Sequence, residues 1–495
     1  MTNSFNLVHI PWIPVSDIGK VSLLDIFERD DISTLIGTPI EKIAILKLLL
    51  SIAQAANTPD REQDWVSIGS DGLANACVQY LKKWENKFFL YGDQPFLQMP
   101  EVIKGKIKPY GLLRPDISTG NNTVVNKSQV ERDMDDSEKA MLLICQMGFS
   151  LSGKKVDNSV ILSDGYTGKS TSGKVGSSMG FIGFLHNFVI GHSIKETVWM
   201  NLFTKEDIKS LNRFKEGVGV PPWEAMPKGE SCPVALSLIN SFQGRLVPMG
   251  RFCFLTDAGV HITEGINHPG YKDGQYDPSI AISFKGKDPK ALWSRPDKKP
   301  WRELTSLLSF IDANSVSGFQ CDQLFVSVGR IRNHMNEFAI WSAGVKVSSN
   351  AGEQYLTGGD DYVESTIWLD SEILGTTWFM NLSNEVSSLS DAGKKLYGSV
   401  IKYFKEINAD GGKHAEKATQ NFWQYCEKDF QKLLFNLGED SESIAYRDQQ
   451  RIRYAGYANK AFNLCCPNTT ARQIDAWAKS RPNLKTYLNK EVKQS

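Results

Sequence analysis

The chain has 495 residues, of which 41% are apolar and 23% charged, a composition typical of globular proteins. This length predicts two to four domains, or one large domain with an appendage. Lysine plus arginine and aspartate plus glutamate both number 56, and this neutrality argues against a sequence-independent DNA coat while leaving room for a local basic patch.

The first 85 residues predict an edge strand followed by two helices. Residues 5–15 alternate apolar side chains with prolines, which is typical of a short edge strand. Thr38, Pro39 and Glu41 occupy the N-cap, N1 and N3 positions of a capping box, so a helix is expected to begin there. The apolar stripe of this helix is Ile43, Leu46, Leu50 and Ala53, and that of the next is Leu73, Cys77, Leu81 and Trp84.

The middle of the chain is predicted to mix loops, helices and strands. Four basic residues, Lys104, Lys106, Lys108 and Arg114, precede a polar loop at 118–127. A helix is predicted near 137–149, and a loop at 165–180 holds five glycines and two lysines, which allows its backbone to approach a ligand closely. Strands are predicted near 250–263, 280–284, 324–328, 338–347 and 365–370.

After about residue 380 the pattern is helical to the end, with four amphipathic stripes. These stripes are Leu396, Val400, Phe404 and Ile407, then Phe422, Cys426, Phe430, Leu433 and Leu437, then Ile452, Ala455, Ala458, Phe462 and Cys465, then Ile474, Trp477 and Leu484. We therefore expect an α+β fold in which a large mixed domain with β-hairpins and helices, residues 1–375, precedes a four-helix bundle, residues 380–495. Residues 451–495 hold nine basic and two acidic side chains, which fits either a surface that follows phosphates or a solvated helical face.

Two motifs in the glycine-rich region resemble enzyme signatures. Residues 163–170 nearly match a phosphate-binding P-loop, but Ser163 stands where the motif needs glycine and no helix is predicted to follow. Residues 176–180 match the G-x-S-x-G nucleophile elbow around Ser178, but the preceding Gly, Lys, Ser and Thr residues make a poor core strand. A serine hydrolase or a nucleotide-binding enzyme built on the 163–180 loop is therefore the alternative, less favoured hypothesis.

The sequence offers no pattern for a metal, a cofactor or a membrane. The eight cysteines form no CxxC pair, and the seven histidines form no HxxxH, HExxH or HxH. Asp360 and Asp361 would suit a cation, but their position after Gly358 and Gly359 favours a solvated loop. No run approaches 18 apolar residues and no signal-peptide pattern is present, so we expect a soluble cytoplasmic protein.

Several segments, taken in order along the chain, carry a family resemblance. They are the strand that ends in Trp12-Ile-Pro-Val15, residues 88–99 with Pro95-Phe96, the glycine-rich loop followed by 193–202, residues 289–304, and the segments 422–430 and 462–473. Together they resemble the CasA family, the large subunits of the type I-E CRISPR Cascade complex. Each segment alone is weakly specific, whereas the ordered set spans nearly the whole chain.

The resemblance implies a subunit without an active site that recognises the protospacer-adjacent motif in double-stranded DNA, while guide pairing reads the target. It further implies a role in starting strand separation and R-loop formation, and in recruiting a helicase-nuclease for antiviral defence. The implied partners are the backbone, small and crRNA-processing Cascade subunits, the crRNA 5′ handle, the duplex target, the displaced strand and the helicase-nuclease.

The resemblance also implies functional residues in four places. A glycine-rich loop would press its backbone into the narrow minor groove, and a wedge would unstack a base step. The implied residues are Lys169, Gly173, Lys174 and Gly176 in the glycine-rich loop; Arg332, Asn333, His334 and Asn336 in a wedge hairpin between two apolar strands; Lys272, Lys285 or Lys287 as the minor-groove lysine; and Val124, Val125 and Asn126 in the loop that meets the crRNA handle. The bundle resembles the part that contacts the small subunits and the displaced DNA.

Overall fold

The computed structural model describes residues 4–16, 18–114, 133–153, 155–169, 183–312, 318–350 and 353–488. The chain divides into two compact units. Unit 1 contains Met1–Pro300 and Gly318–Thr366, and unit 2 contains Trp301–Ser317 and Ile367–Ser495. The predicted functional division into 1–375 and 380–495 stays a prediction.

The described helices and strands confirm the α+β class. The helices are α1 (Leu23–Glu28), α2 (Pro39–Ala56), α3 (Glu62–Trp84), α4 (Asp136–Gly148), α5 (Ile194–Met200), α6 (Lys205–Ser210), α7 (Pro233–Ile239), α8 (Gln243–Leu246), α9 (Leu304–Leu307), α10 (Asp322–Ile331), α11 (Thr376–Glu406), α12 (Gly412–Leu434), α13 (Ser441–Cys465), α14 (Ala471–Ser480) and α15 (Lys485–Leu488). The strands are β1 (Ser4–Asn6), β2 (Ile13–Val15), β3 (Gly19–Val21), β4 (Phe89–Tyr91), β5 (Ile107–Lys108), β6 (His186–Ile190), β7 (Arg251–Thr256), β8 (Gly259–Glu264), β9 (Ala281–Ser283), β10 (Lys290–Ala291), β11 (Phe319–Cys321), β12 (Glu337–Val345), β13 (Ser348–Asn350), β14 (Glu353–Tyr355) and β15 (Tyr362–Asp370). They form small sheets with the orders β1-β4, β2-β3, β5-β8-β7, β10-β9-β11, β15-β12-β6 and β13-β14.

Helix α2 lies at the centre of unit 1. The predicted capping box is present, since the Thr38 amide donates to Glu41 Oε2 at 2.7 Å and the Glu41 amide donates to Thr38 Oγ1 at 3.4 Å. The predicted apolar stripe is buried, but so is nearly every other side chain of the second and third turns, including Lys47. A helix that is buried on all sides is a core element, and α2 packs against α3, α4, α5, α8 and β12.

Residues 88–99, one of the segments that carry the family resemblance, form a packing motif. The rings of Phe88 and Phe96 stack with centroids 4.6 Å apart, and Trp223 lies 5.4 Å from Phe88. The buried Gln98 amide donates to the Leu90 carbonyl at 2.7 Å and accepts from the Leu255 amide at 2.8 Å. Aromatic burial and a satisfied amide thus connect β4 to β7.

Most predicted strands are confirmed, as β7 with β8, β9, β12 and β15. The strand predicted at 324–328 is wrong, because this segment belongs to helix α10. Leu324, Val328 and Ile331 are buried while Phe325 is 48% exposed, which is the period of a helix. A short apolar run fits both a strand and a helix. Here the helical spacing continues beyond residue 328 to the buried Ile331, and the segment is a helix. The predicted edge strand at 5–15 is divided into β1 and β2 by a turn.

Unit 2 contains the predicted C-terminal helices, of which α11, α12 and α13 are long and α14 is short. The stripes on α11 and α12 are buried as predicted, apart from a half-buried Ile407. On α13 the prediction was wrong for Ile452, which is 67% exposed, and on α14 it was wrong for the exposed Ile474. The inward face of α13 instead includes Arg451, whose guanidinium pairs with the buried Glu385 of α11. In the part of the chain that the structure describes, no helix is long and apolar enough to cross a membrane.

Candidate nucleic-acid interface

Lys169 lies at the start of the predicted DNA-contacting loop, but its amine is buried. The side chain is 4% exposed, and its Nζ lies 2.7 Å from Glu230 Oε1 and donates to Thr263 Oγ1 at 2.7 Å and to the Val160 carbonyl. Burial lowers the pKa of Lys169, and the contact with Glu230 opposes that shift. Burial alone would raise the pKa of Glu230, but the Lys169 hydrogen bond leaves it below its ordinary value. In this structure Lys169 therefore anchors the loop and does not face solvent.

The same carboxylate explains why residues 163–169 do not form a P-loop. Glu230 accepts hydrogen bonds from the backbone amides of Leu162, at 3.2 Å, and Ser163, at 2.8 Å. In a P-loop the amides of the motif and the lysine would surround a phosphate, whereas here the Ser163 amide and the Lys169 amine are both held by an internal carboxylate. Among the described residues 155–169, no strand leads into the loop.

Lys272 is exposed at the tip of a braced turn. The turn is a short 3-10 helix, Tyr271–Asp273, in which Asp273 Oδ2 accepts from the Gly270 amide at 3.0 Å and Gly274 adopts a φ of +76°. The buried Arg245 holds both sides of this segment. Its Nη1 contacts His268 Nδ1 at 2.8 Å, and its Nη2 donates to Gln275 Oε1 at 2.8 Å.

The contacts of Arg245 with His268 and Gln275, which we call the Arg245 brace, also fix which ring nitrogen of His268 carries the proton. Arg245 can only donate and the Pro248 carbonyl can only accept, so Nδ1 accepts from the guanidinium and Nε2 donates to Pro248 at 2.8 Å. Burial lowers the pKa of His268 to about 3, with a further contribution from the Arg245 charge. His268 is therefore neutral at physiological pH.

An ion pair fixes the far end of the Lys272 segment. Asp277 pairs with Lys47 of α2, and both side chains are 3% exposed. Asp277 Oδ1 also accepts from the amide and the hydroxyl of Ser279, at 2.9 and 2.8 Å. Burial alone would raise the pKa of Asp277, but the neighbouring Lys47 charge brings it down to about 2. Such pairing makes the two buried charges tolerable and holds the segment to the central helix.

Lys285 and Lys287 lie in the exposed hairpin loop between β9 and β10. Gly286 between them has a φ of +108°, which only glycine adopts without strain. The ring of Phe284 lies 5.8 Å from that of Tyr276, so the structure brings the hairpin and the Lys272 turn to one surface. All three candidate lysines are exposed.

The prediction of a hairpin between two strands at 329–336 is wrong. The turn instead connects helix α10 to strand β12. Arg332, Asn333, His334 and Asn336 are exposed in this helix-to-strand turn. His334 Nε2 lies 3.3 Å from Glu62 Oε1, and its ring centroid is 6.0 Å from that of Trp65. The turn follows the C-terminus of α10, and the ten residues of this helix carry it about 15 Å from the N-terminus of α10.

A buried arginine fixes the helix that carries this turn. Arg330 pairs with Asp207, donates to the Leu202 carbonyl at 3.0 Å and lies over the Trp65 ring at 4.8 Å. Trp65 in turn stacks on Trp199 at 4.0 Å, and each indole N–H donates to the other residue's backbone carbonyl. The exposed polar residues therefore sit on a rigid base.

The remaining implied residues lie outside the described ranges. They are Gly173, Lys174 and Gly176 of the glycine-rich loop and Val124, Val125 and Asn126 of the crRNA-handle loop. Sequence reasoning missed two exposed aromatic residues near the candidate lysines, Phe284 and Trp293. The available signal was that Phe284 and Trp293 bracket three lysines within ten residues.

Several other charged groups contact partners within the chain. Among the described residues no cluster of His, Cys, Asp and Glu would hold a metal ion. The Asp361 carboxylate caps its own loop by accepting from Thr357 Oγ1 at 2.7 Å. The C-terminal basic bias is partly neutralised, because Arg453 lies 3.3 Å from Asp429 and Lys479 lies 2.6 Å from Asp475.

Comparisons with known proteins agree on one family. The structure of this chain is similar to the crystal structure of Thermus thermophilus CasA. The TM-score is 0.73 and the identity is 18% over 98% of this chain and 99% of that one. Thermobifida fusca Cse1 gives a TM-score of 0.73 and 18% identity over 98% of both chains. A chain of a solved CRISPR RNA-guided surveillance complex gives 0.65 and 13% over 97% of this chain and 99% of that one.

The sequence comparisons identify the family. The Thermus thermophilus CRISPR-associated protein CasA/Cse1 is 28% identical over 165 residues, which span 30% of this chain and only 32% of that protein. The family profile described as CRISPR-associated protein Cse1 matches residues 6–463. The chain therefore belongs to the Cse1 family, as its ordered segments predicted.

Proposed function

We propose that this chain is the large subunit of a crRNA-guided type I-E Cascade complex. In this role it recognises the protospacer-adjacent motif in double-stranded DNA, helps to start strand separation and R-loop formation, and recruits a helicase-nuclease. The observation that carries the proposal is the family match over residues 6–463. A likeness of fold to a chain of a CRISPR RNA-guided surveillance complex supports it.

The described surface has the chemistry that this role needs. Guide pairing reads the target in such complexes, so the protein needs only a few contacts to a short duplex motif. Lys272, held by the Arg245 brace, offers a cation on a rigid turn. Asn333 and Asn336 offer short polar side chains on the turn after α10, and they remain our proposal for the wedge.

The two predicted domains would divide the work. We assign the DNA-recognition loops to residues 1–375, and contacts with the small subunits and the displaced strand to residues 380–495. The further partners would be the backbone and crRNA-processing subunits and the crRNA 5′ handle. A protein that acts on intracellular DNA in this way would reside in the cytoplasm.

We propose that the protein acts without catalysis. The internal carboxylate of Glu230, which takes the place of a phosphate beside Lys169, supports this view. The alternative enzyme hypothesis predicts turnover that is lost in Ser178→Ala or Lys169→Ala. A serine-reactive probe and a nucleotide-binding assay on the full chain test it, and labelling of Ser178 or saturable nucleotide binding would support the enzyme.

The decisive experiment compares the assembled complex with and without this chain. We expect duplexes that carry a flanking motif to bind much more tightly than matched duplexes without it, and only when this chain is present. Equal selectivity in its absence would contradict the proposal. A salt titration separates this effect from general phosphate attraction, because the selectivity ratio should change less with salt than either affinity.

A further inference from the structure

Unit 1 presents a cluster of aromatic rings that we call the aromatic platform, formed by Tyr271, Tyr276, Phe284 and Trp293 around the buried Phe184. The Phe184 ring lies 4.6 Å from Trp293 and 5.6 Å from Tyr271. Phe284 is 53% exposed and Trp293 is 46% exposed, whereas Phe184 is buried beneath them. The platform therefore combines a packed base with solvent-facing rings.

Strand register explains why the exposed rings share one face. Ile282 of β9 lies opposite Ala291 of β10, and both pack in the core cluster with Phe184. Phe284 and Trp293 each follow one member of this pair by two residues, just beyond the strand ends, which favours the same side of the sheet. Their ring contacts agree, since Trp293 packs on Phe184 and Phe284 lies beside Tyr276. Because the strands are antiparallel, the two rings flank the Ile282–Ala291 pair at opposite ends.

The platform adjoins the end of the glycine-rich region. Phe184 and Trp293 form an antiparallel bridge, and the Ser294 amide donates to the Gly183 carbonyl at 2.9 Å. A Cβ atom built on Gly183 would lie 3.2 Å from the Trp293 ring, so a larger residue at 183 would press against the indole. Gly183 therefore lies directly beside the Trp293 indole.

Exposed lysines lie close to the ring residues in sequence. They are Lys272, Lys285, Lys287 and Lys290. Of the acids within 271–290, Asp277 is buried against Lys47, so the exposed Asp273 and Asp288 are the two carboxylates set against these four lysines. The local surface is therefore positive although the chain as a whole is neutral.

We propose that the aromatic platform binds single-stranded DNA by stacking unpaired bases on Trp293 and Phe284 while the lysines contact the phosphates. Aromatic rings beside a positive track are the features that bind single strands without sequence preference. A duplex hides its base faces, and a protein partner is disfavoured because lysine is depleted at protein interfaces. The inference rests on the proposed function only for the source of the strand, namely a target duplex that has been opened.

The test compares two oligonucleotides on the full chain, a dT 12-mer and an abasic 12-mer that carries the same phosphates. Stacking predicts that the wild type prefers the dT 12-mer by about tenfold. Trp293→Leu and Phe284→Leu should each remove most of that preference, and Trp293→Phe should retain it. Phe435→Leu is the matched control, since Phe435 is 45% exposed at the end of α12 and should not matter.

The lysines give an independent measurement. Lys287→Ala and Lys290→Ala should weaken both oligonucleotides equally and reduce the slope of log affinity against log salt by about 0.7 for each lost phosphate contact. Phe284 lies on the exposed hairpin, so Phe284→Leu keeps the test valid if Trp293→Leu disturbs packing against Phe184.

Unchanged dT binding by Phe284→Leu, or equal wild-type affinity for both oligonucleotides, would overturn the inference. Leucine variants that bind DNA normally but fail to assemble with partner subunits would also overturn it, in favour of a protein interface. Because the assay uses single strands without any flanking motif, its result is independent of the motif selectivity on which the proposed function depends.

Discussion

The family resemblance makes both Lys169 and Lys272 candidates for contact with DNA, yet their amines have opposite environments in the structure. The Lys169 amine is buried against Glu230, whereas Lys272 is exposed on a turn that a different residue, Arg245, holds in place. In the first loop the lysine itself stabilises the fold. In the second the arginine does so, which leaves the lysine side chain at the surface.

The difference lies in what is buried beneath each loop. A buried carboxylate demands a cation, because an unpaired charge in the interior is costly. Glu230 forms an ion pair with Lys169, whereas Asp277, near the Lys272 turn, forms its ion pair with Lys47. A lysine in a glycine-rich loop therefore indicates binding only after the nearby acids have been matched to other partners.

The largest effect should come from Lys169→Met, which leaves the Glu230 carboxylate buried without its partner. We expect the free energy of unfolding to fall by about 3–5 kcal/mol, as for a broken buried pair. Chemical denaturation followed by hydrogen exchange of unit 1 measures it, with the exposed Lys104→Met as control. Adding Glu230→Gln should recover part of the loss. A stable Lys169→Met protein with weakened DNA binding would instead restore the role that the sequence suggested.

Arg245→Leu should release the Lys272 turn. The substitution leaves His268 Nδ1, Gln275 Oε1 and the Ile239 carbonyl without their donor. We expect a loss of about 3 kcal/mol, since each buried acceptor left unsatisfied is costly. Amide hydrogen exchange should accelerate over 266–277 and remain unchanged over the 284–289 hairpin. Equal acceleration in both segments would mean that Arg245 supports the whole surface and not the turn alone.

Acid should destabilise the brace through His268. Its pKa is about 3 in the folded protein and about 6.5 in an unfolded chain. Below pH 6.5 the unfolded state gains a proton that the folded state does not, so stability is lost as the pH falls towards 3. This corresponds to about 2 kcal/mol between pH 7 and pH 5. His268→Gln, which can still accept from Arg245 and donate to Pro248, should flatten the stability profile over that range. A profile as steep as that of the wild type would contradict the assignment.

DNA binding should distinguish the rigid turn from the hairpin. Because Lys272 sits on a braced backbone, less ordering entropy is lost when it binds. We expect Lys272→Ala to weaken binding of a motif-containing duplex by the assembled complex about tenfold, and Lys285→Ala about threefold. Filter binding at several salt concentrations measures both. A larger loss for Lys285→Ala would assign the minor-groove role to the hairpin.

The smallest change in affinity should come from Asn333→Ala combined with Asn336→Ala. If this turn is the wedge, affinity should change by less than about twofold while strand opening decreases clearly. Permanganate footprinting of the target duplex detects unpaired thymines and therefore reports opening directly. Normal opening in the double variant would remove the wedge assignment, and Arg332→Ala then tests whether the same turn acts through phosphates.

Local signals in the sequence were sufficient for part of the fold. The Thr38–Glu41 capping box began α2 where predicted, and helical spacing located α11 and α12, because these features depend on neighbouring residues alone. The prediction of a strand at 324–328 was wrong because a five-residue apolar run is compatible with the spacing of both a strand and a helix. Ile452 failed because the polar pair of Arg451 and Glu385 took the inward face that an apolar pattern would assign to isoleucine.

By itself the sequence determined the family, through ordered segments that span nearly the whole chain, and with it the α+β class and the C-terminal helices. Only the tertiary structure decided which lysine is buried and which exposed, and which aromatic rings share a face. Those outcomes depend on Glu230, Arg245 and Phe184, which folding brings to Lys169, the Lys272 turn and Trp293 from distant positions in the chain. Burial sets the energy of a charge or a ring, and burial is a property of the assembled structure.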